Sequence, residues 1–210
     1  MSSLYKIIAS LFPYTVWRIP NSKREVYITF DDGPNPETTP FILETLKNFN
    51  AKATFFCIGK NVDRNPELYQ KLINEGHSTG NHTYSHLKGW KTNNKEYFED
   101  IDLASHYIDS KLFRPPYGRI KLSQIRRLRH DYRLIFWNIL SQDYLETITP
   151  EKCLNNVIPH VKSGDIIVFH DSLKAFPRMS YALPKVLEFL QKNGFVCCPI
   201  IPIGHRYLQL

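Results

Sequence analysis

Val26-Tyr27-Ile28-Thr29-Phe30 runs directly into Asp31-Asp32-Gly33-Pro34. The first five residues read as a β-strand and the next four as a turn that carries two adjacent carboxylates at the strand's end. Working outward, residues 36–48 place Phe41, Ile42, Thr45 and Leu46 at helical spacing, which predicts a helix. The alternation then repeats. Strands are expected over 53–58, 77–80, 112–113, 134–138, 165–169 and 195–198, and helices over 66–74, 96–109, 122–130, 151–161 and 183–192. Such a rhythm implies parallel strands with helical cover, in an open doubly wound sheet or a barrel. The chemically unusual residues decide between them. Asp31 and Asp32 follow one strand, His82 and His86 a second, Arg114 a third, Asp143 a fourth and His170 a fifth. Five strand ends meet at one place more readily in a barrel, so the expected fold is α/β, a distorted, irregular (β/α) barrel.

Composition bounds the rest. A chain of 210 residues, 42% hydrophobic and 22% charged, fits one globular domain with its own core. The expected division is an N-terminal helical segment, 1–22, with a helix over 4–12 packed on the barrel bottom, and the barrel domain over 23–210. That segment carries Leu4, Ile7, Ile8, Leu11, Phe12, Val16 and Trp17, so contact with a membrane surface is the competing reading. No stretch approaches the roughly 20 apolar residues of a membrane span, and no secretory signal is recognisable, so a cytoplasmic location is expected. Cys57, Cys153, Cys197 and Cys198 show no C-x-x-C spacing and read as reduced thiols. The net charge of +7 draws on Arg119, Lys121, Arg126, Arg127, Arg129 and Arg133. With Leu122, Ile125 and Leu128 turned inward, this segment reads as a solvated helix face. Nucleic acid is not an expected partner, because no binding motif accompanies the charge. Oligomeric state is not readable from the chain.

The strand-end residues suit metal-assisted hydrolysis. His82 and His86, in His82-Thr83-Tyr84-Ser85-His86, can share one face of a helical turn, and a carboxylate can complete a metal site with an open position. Of the adjacent aspartates, one can bind the ion while the other acts as base. His170, after the apolar run 166–169, is the natural acid, with Asp143 or Asp171 as the carboxylate that keeps it protonated. Asp171 and Ser172 equally suit capping of the next helix.

Four motifs in order resemble the polysaccharide deacetylase family, the NodB-homology or family 4 carbohydrate esterases: Thr29-Phe30-Asp31-Asp32-Gly33-Pro34, Asn81-His82-Thr83-Tyr84-Ser85-His86, Arg114-Pro115-Pro116-Tyr117-Gly118 and Ile166-Ile167-Val168-Phe169-His170. The resemblance implies metal-dependent removal of acetyl groups from an N-acetylated carbohydrate. It assigns Asp31 as base and Asp32, His82 and His86 as ligands, a choice that spacing leaves open. It also implies that Arg114 pairs with Asp31, that Asp143 supports His170 as acid, and that the Tyr117 backbone N–H serves the oxyanion. Tyr144, Val168 and Pro116 would line the acyl pocket, with Tyr144 standing where the family has Trp and Val168 where it has Leu. Zinc is the expected ion, with cobalt, nickel or manganese as alternatives. Two other functions compete: a same-fold amidohydrolase acting on a ureide or cyclic imide, and a non-catalytic glycan-binding module using residues 119–133.

Overall fold

A computed structural model of the chain describes residues 14–201. The helix expected over 4–12 lies outside the described residues. From Tyr14 onward the elements are β1 (Thr15–Val16), β2 (Glu25–Asp31), α1 (Thr39–Asn48), β3 (Thr54–Cys57), α2 (Gly59–Arg64), α3 (Pro66–Asn74), β4 (Ser78–Asn81), α4 (Asn94–Ser105), β5 (Leu112–Phe113), α5 (Leu122–Leu128), β6 (Arg133–Ile135), β7 (Ile139–Leu140), α6 (Pro150–Asn155), β8 (Ile166–His170), α7 (Phe176–Lys192) and β9 (Val196–Cys197).

The strands pair in the order β1-β6-β5-β4-β3-β2-β8-β7, all parallel, and β9 pairs with the start of β2. That order shows the sheet to be curled. β6 and β7 lie towards opposite ends of the hydrogen-bonded path, yet Ile135 and Ile139 are four residues apart in the chain, which keeps them within about 14 Å. The N-terminal segment crosses this seam. Thr15 and Val16 pair with Leu134 and Ile135. Ile19 then donates to the Gly164 carbonyl at 2.8 Å, and Arg18 Nε lies 2.7 Å from Asp165 Oδ1 just before β8. The described part of the N-terminal segment is therefore partly extended, because the open seam offers it a strand edge.

Period-two alternation divides the buried residues between the inside of the curl and its helical cover. Tyr27, Phe56, Leu112, Ile135 and Ile166 cluster inside. Val26, Ile28, Phe30, Phe55, Ile167 and Phe169 face the other way and pack with the helical residues Leu43, Leu46, Met179, Val186 and Leu187. Continuing the inward sets upward gives Tyr27-Thr29-Asp31 on β2 and Ile166-Val168-His170 on β8. Asp31 and His170 are register partners, as are Thr29 and Val168. Both chemical residues thus stand at the C-terminal rim of the interior.

Several boundaries differ from expectation. The final long helix begins at Phe176 and continues through Pro184, because Met179, Ala182, Leu183, Val186, Leu187 and Leu190 all bury their side chains. Packing along that face outweighs the one backbone bond that proline removes. The helix expected over 151–161 ends at Asn155 and resumes only as a single 3-10 turn at Ile158–His160. The strand expected over 134–138 ends at Ile135, and residues 136–138 carry the chain across the seam to a separate strand, β7.

Candidate active site

The two histidines do not lie on a helix, contrary to the sequence expectation. His82 leaves β4 with its backbone N–H on the Cys57 carbonyl at 2.9 Å. Thr83 and His86 then adopt φ of 64° and 59°. Asp100 on α4 fixes this path by accepting the backbone N–H groups of Tyr84 and Ser85 at 2.8 and 3.0 Å, while Asn81 Oδ1 accepts from Thr83 N at 2.8 Å. The imidazoles nonetheless converge, with ring centroids 5.1 Å apart.

Asp32 completes the group. It steps out of β2 at φ 81°, and its Oδ1 lies 3.7 Å from His82 Nε2 and 3.2 Å from His86 Nε2. One ligand atom from each of the three residues falls within 4.8 Å of the others. Asp32 Oδ1 accepts no hydrogen bond from the described residues. His82 Nδ1 sits 2.7 Å from the Arg114 carbonyl, so Nδ1 carries the proton and Nε2 presents its lone pair to Asp32. Burial, countered in part by Asp31, brings His82 down to about 4. Burial and the neighbouring His82 bring His86 to about 4, and burial pushes the Asp32 carboxyl upward. Two neutral imidazoles and a carboxylate without a donor fit a divalent cation with N/O ligands, zinc among them.

Asp31 meets the opposite environment. Arg114, fully buried, directs Nη1 to Asp31 Oδ1 at 2.6 Å and to Thr29 Oγ1 at 2.7 Å. Its Nε and Nη2 donate to the carbonyls of Ile135 and Phe136 at 3.2 and 3.1 Å, and the guanidinium lies 4.0 Å from the Phe56 ring centroid. Burial alone would raise the Asp31 carboxyl. The charges of Arg114 and His170, with the Arg114 hydrogen bond, hold it below the usual carboxylate range.

His170 is held by Asp143, which accepts from its backbone N–H and from ring Nδ1, each at 2.7 Å. Burial opposes the charged imidazolium, but the charge and hydrogen bond of Asp143, with Asp32 and Asp31, raise the group to about 9. Nδ1 being occupied, Nε2 is the nitrogen free to move a proton. Tyr144 packs edge-on against the His170 ring at 4.9 Å, and Val168 lies buried one inward position below His170 on β8.

The segment Arg114-Pro115-Pro116-Tyr117-Gly118 leaves β5, buries Pro116 and turns at Tyr117, φ 60°. Tyr117 stays 55% exposed with its ring 4.6 Å from that of His86. Among the described residues, seven other than glycine have positive φ, and five of them are Asp32, Thr83, His86, Tyr117 and Gln142. Backbone strain of this kind persists where surrounding contacts over-determine it, and here it gathers on the loops that carry the chemical groups.

Three supports carry no local sequence signal. Thr29 Oγ1 accepts from Arg114 and donates to the Ile167 carbonyl at 2.9 Å. Arg178, on α7, donates from Nε to the Asp143 carbonyl at 2.5 Å. Asp171 does not cap the helix that follows it. Its two carboxylate oxygens accept from Thr38 and Thr39, each at 2.5 Å, at the start of α1, and its N–H donates to the Asp31 carbonyl at 2.7 Å. The hydroxyl partners and its contact with the Asp31-Asp32-Gly33 turn come from residues more than 130 positions away. A cavity of about 390 Å³ lined by Asn138, Asn156, His160 and Lys162 shares no residue with this constellation.

Residues 18–132 match the family model described as polysaccharide deacetylase. The chain is 36% identical over 190 residues to a peptidoglycan-N-acetylglucosamine deacetylase of Bacillus cereus, covering 87% of this chain and 89% of that one. It is 28% identical over 204 residues to a chitooligosaccharide deacetylase of Azorhizobium caulinodans, covering 87% and 96%. The crystal structure of a peptidoglycan N-acetylglucosamine deacetylase superposes with a TM-score of 0.84 at 32% identity, over 89% of this chain and 91% of that one.

Proposed function

The chain belongs to the polysaccharide deacetylase family, and from that premise we propose that it is a metal-dependent hydrolase that removes N-acetyl groups from the amino sugars of a glycan. One observation carries the reading: three ligand atoms, from Asp32, His82 and His86, converge within 4.8 Å beside an aspartate held ionised and a histidine held protonated. The relatives' substrates, peptidoglycan and chitooligosaccharides, share an N-acetylated amino sugar. That shared unit is the substrate class proposed here.

Asp32, His82 and His86 would hold the ion, and a divalent cation bound there would supply a Lewis acid for the acetyl carbonyl and make water easier to deprotonate. Asp31, kept ionised by Arg114, takes the proton from the attacking water at a carboxylate oxygen. The backbone N–H of Tyr117 donates to the oxygen that gains negative charge. His170 gives its Nε2 proton to the departing sugar nitrogen, and Asp143 stabilises the imidazolium until that moment. Tyr144, Val168 and Pro116 border the acetyl methyl. The test is acetate release from N-acetylglucosamine oligomers, peptidoglycan fragments, acetylxylan and a ureide. Activity on the first two, lost on chelation and restored by zinc, cobalt, nickel or manganese, supports the reading. Turnover of the ureide alone, or turnover unaffected by chelation, defeats it.

A further inference from the structure

Arg178, on α7, is a buried cation, 8% exposed, that forms no ion pair among the described residues. It directs its donors to carbonyls instead, Nε to Asp143 at 2.5 Å and Nη2 to Lys174. A buried charge without a partner of opposite sign is unfavourable, so its surroundings invite a functional account. Asp143 meets the same requirement with the opposite sign, being fully buried. Burial pushes the nearby Cys153 thiol up to about 12, the Asp143 charge adds to this and the Arg178 charge opposes it, so both charges are felt at one place.

The hydrogen bonds close a circuit. The Asp143 carboxylate accepts from His170 N and Nδ1, each at 2.7 Å, and its main-chain carbonyl accepts from Arg178. Arg178 in turn donates to Lys174, four residues beyond His170 in the chain. The side chain of Asp143 is thus held at one end and its backbone at the other. The turn leading to it is strained, with Gln142 at φ 61°, and the Asp143 N–H reaches Ser141 Oγ at 3.3 Å. Asn156 Nδ2 steadies the earlier part, donating to the Ser141 carbonyl at 3.0 Å and to Gln142 Oε1 at 3.1 Å. Strain of this kind persists where neighbouring contacts over-determine it, and Arg178 supplies the contact at Asp143 itself from α7. A planar guanidinium can donate in two directions at once, which an ammonium on a flexible stem does less well.

We propose that Arg178 is a positioning residue for the proton donor: by fixing the Asp143 main chain to the turn that follows His170, it keeps the Asp143 carboxylate where it aligns the His170 ring. The assignment rests on the deacetylase reading above, in which His170 Nε2 protonates the departing nitrogen. Arg178 touches neither substrate nor metal ligand in this account and acts through Asp143 alone.

The test compares Arg178→Met and Arg178→Lys with a control, Arg18→Gln, which breaks the contact with Asp165 at the other end of β8. On an N-acetylglucosamine tetramer with metal present, Arg178→Met is expected to lower kcat by about ten- to a hundred-fold while KM stays within about two-fold. Arg178→Lys recovers part of the loss, and Arg18→Gln lowers Tm with kcat unchanged. In an Asp143→Asn background, adding Arg178→Met changes kcat by less than about two-fold, because the carboxylate it positions is gone. A second readout needs no turnover: the His170 Nδ1 proton, bonded to Asp143, gives a downfield NMR resonance that is lost in Arg178→Met and persists in Arg18→Gln. A kcat loss that is undiminished in the Asp143→Asn background, or a resonance that persists in Arg178→Met, overturns the proposal and leaves Arg178 as a clasp for α7. If the wild type releases no acetate, the deacetylase reading fails and the resonance alone decides the tether: its loss in Arg178→Met upholds it, and its persistence refutes it. If Arg178→Met does not fold, Arg178→Lys carries both measurements, with a smaller change in the same direction expected and no change refuting the tether.

Discussion

Replacing Arg114 with methionine isolates the electrostatic pairing that keeps Asp31 charged. The guanidinium is fully buried and donates to Asp31, Thr29 and the carbonyls of Ile135 and Phe136. Methionine keeps apolar contact over Phe56 and supplies none of those donors. Breaking a buried pair by removing one partner costs about 3–5 kcal/mol, which for a protein of this size lowers Tm by roughly 6–20 °C. The loss also depends on pH. In the wild type the Asp31 carboxyl is held below its usual range, so its contribution is in place above the unfolded carboxylate pKa and is lost as pH falls through the depressed value. In the variant burial acts without its main opponent, and the folded pKa rises above the unfolded one. The penalty is then present at neutral pH and relieved as pH falls through the raised value. The stability difference between the two proteins is therefore larger at about pH 7.5 than at about pH 5. Urea unfolding at both pH values, on wild type, Arg114→Met, Asp31→Asn and the double variant, measures this. We expect the double variant to be more stable than additivity allows by about 1–3 kcal/mol. A loss independent of pH and additive with Asp31→Asn would refute the pairing and leave Arg114 as a clasp for carbonyls alone.

Asp143→Asn removes the charge that raises His170, so the alkaline limb of the kcat profile moves down by about one to two pH units; an unmoved limb means that another group donates the proton. A bound dication offsets the help that Asp32 gives the imidazolium, so NMR titration should place His170 below about 9 with metal and higher after chelation. The His82→Ala, His86→Ala double variant leaves a single ligand, and metal analysis of the dialysed protein should find less than about a tenth of the wild-type content; near-stoichiometric metal would remove the site from these residues. A Cβ at Gly33 would meet Asp171 Oδ2 at 2.2 Å, so Gly33→Ala should destabilise by about 1–3 kcal/mol and weaken metal binding through displacement of Asp32. Thermal unfolding and metal titration read the two effects separately.

What could be read from the chain alone followed from composition at strand ends. Asp31, Arg114 and His170 needed only the period-two alternation of short β-runs to be placed on a common interior rim, and register pairing of Asp31 with His170 bears out that part of the barrel expectation. The path between His82 and His86 was not legible. Helical spacing is the default reading of i, i+4, but Asp100 and Asn81 hold a loop with left-handed backbone at Thr83 and His86, and β-branched Thr83 gives no local signal for that conformation. The two imidazoles still converge because this requires only that both rings point at Asp32, whatever path connects them. Arg178 and Asp171 were hidden for another reason. Each acts on a segment distant in sequence, Arg178 on the Asp143 carbonyl and Asp171 on the start of α1, and residue type alone does not reveal such a partner. Residues 15–19 contribute to the seam of the curl, a strand-edge pairing that local pattern in the chain does not signal.

The pair Asp31-Asp32 shows why neighbouring identical residues take different parts. Asp31 is the last inward residue of a regular strand, so its carboxylate falls among the interior groups and meets a guanidinium that is itself immobilised by two carbonyls and a hydroxyl. A carboxylate so paired remains ionised and gains little from a cation. Asp32 lies one residue further, where φ of 81° turns it out of the strand and towards two imidazoles. Among the described residues its burial is opposed by no guanidinium and its Oδ1 accepts no hydrogen bond, so a divalent ion is the partner that would stabilise its charge most. The same backbone step that separates the two side chains thus separates their environments, one facing a guanidinium and the other two imidazoles, which is the division between base and metal ligand that the proposed mechanism uses.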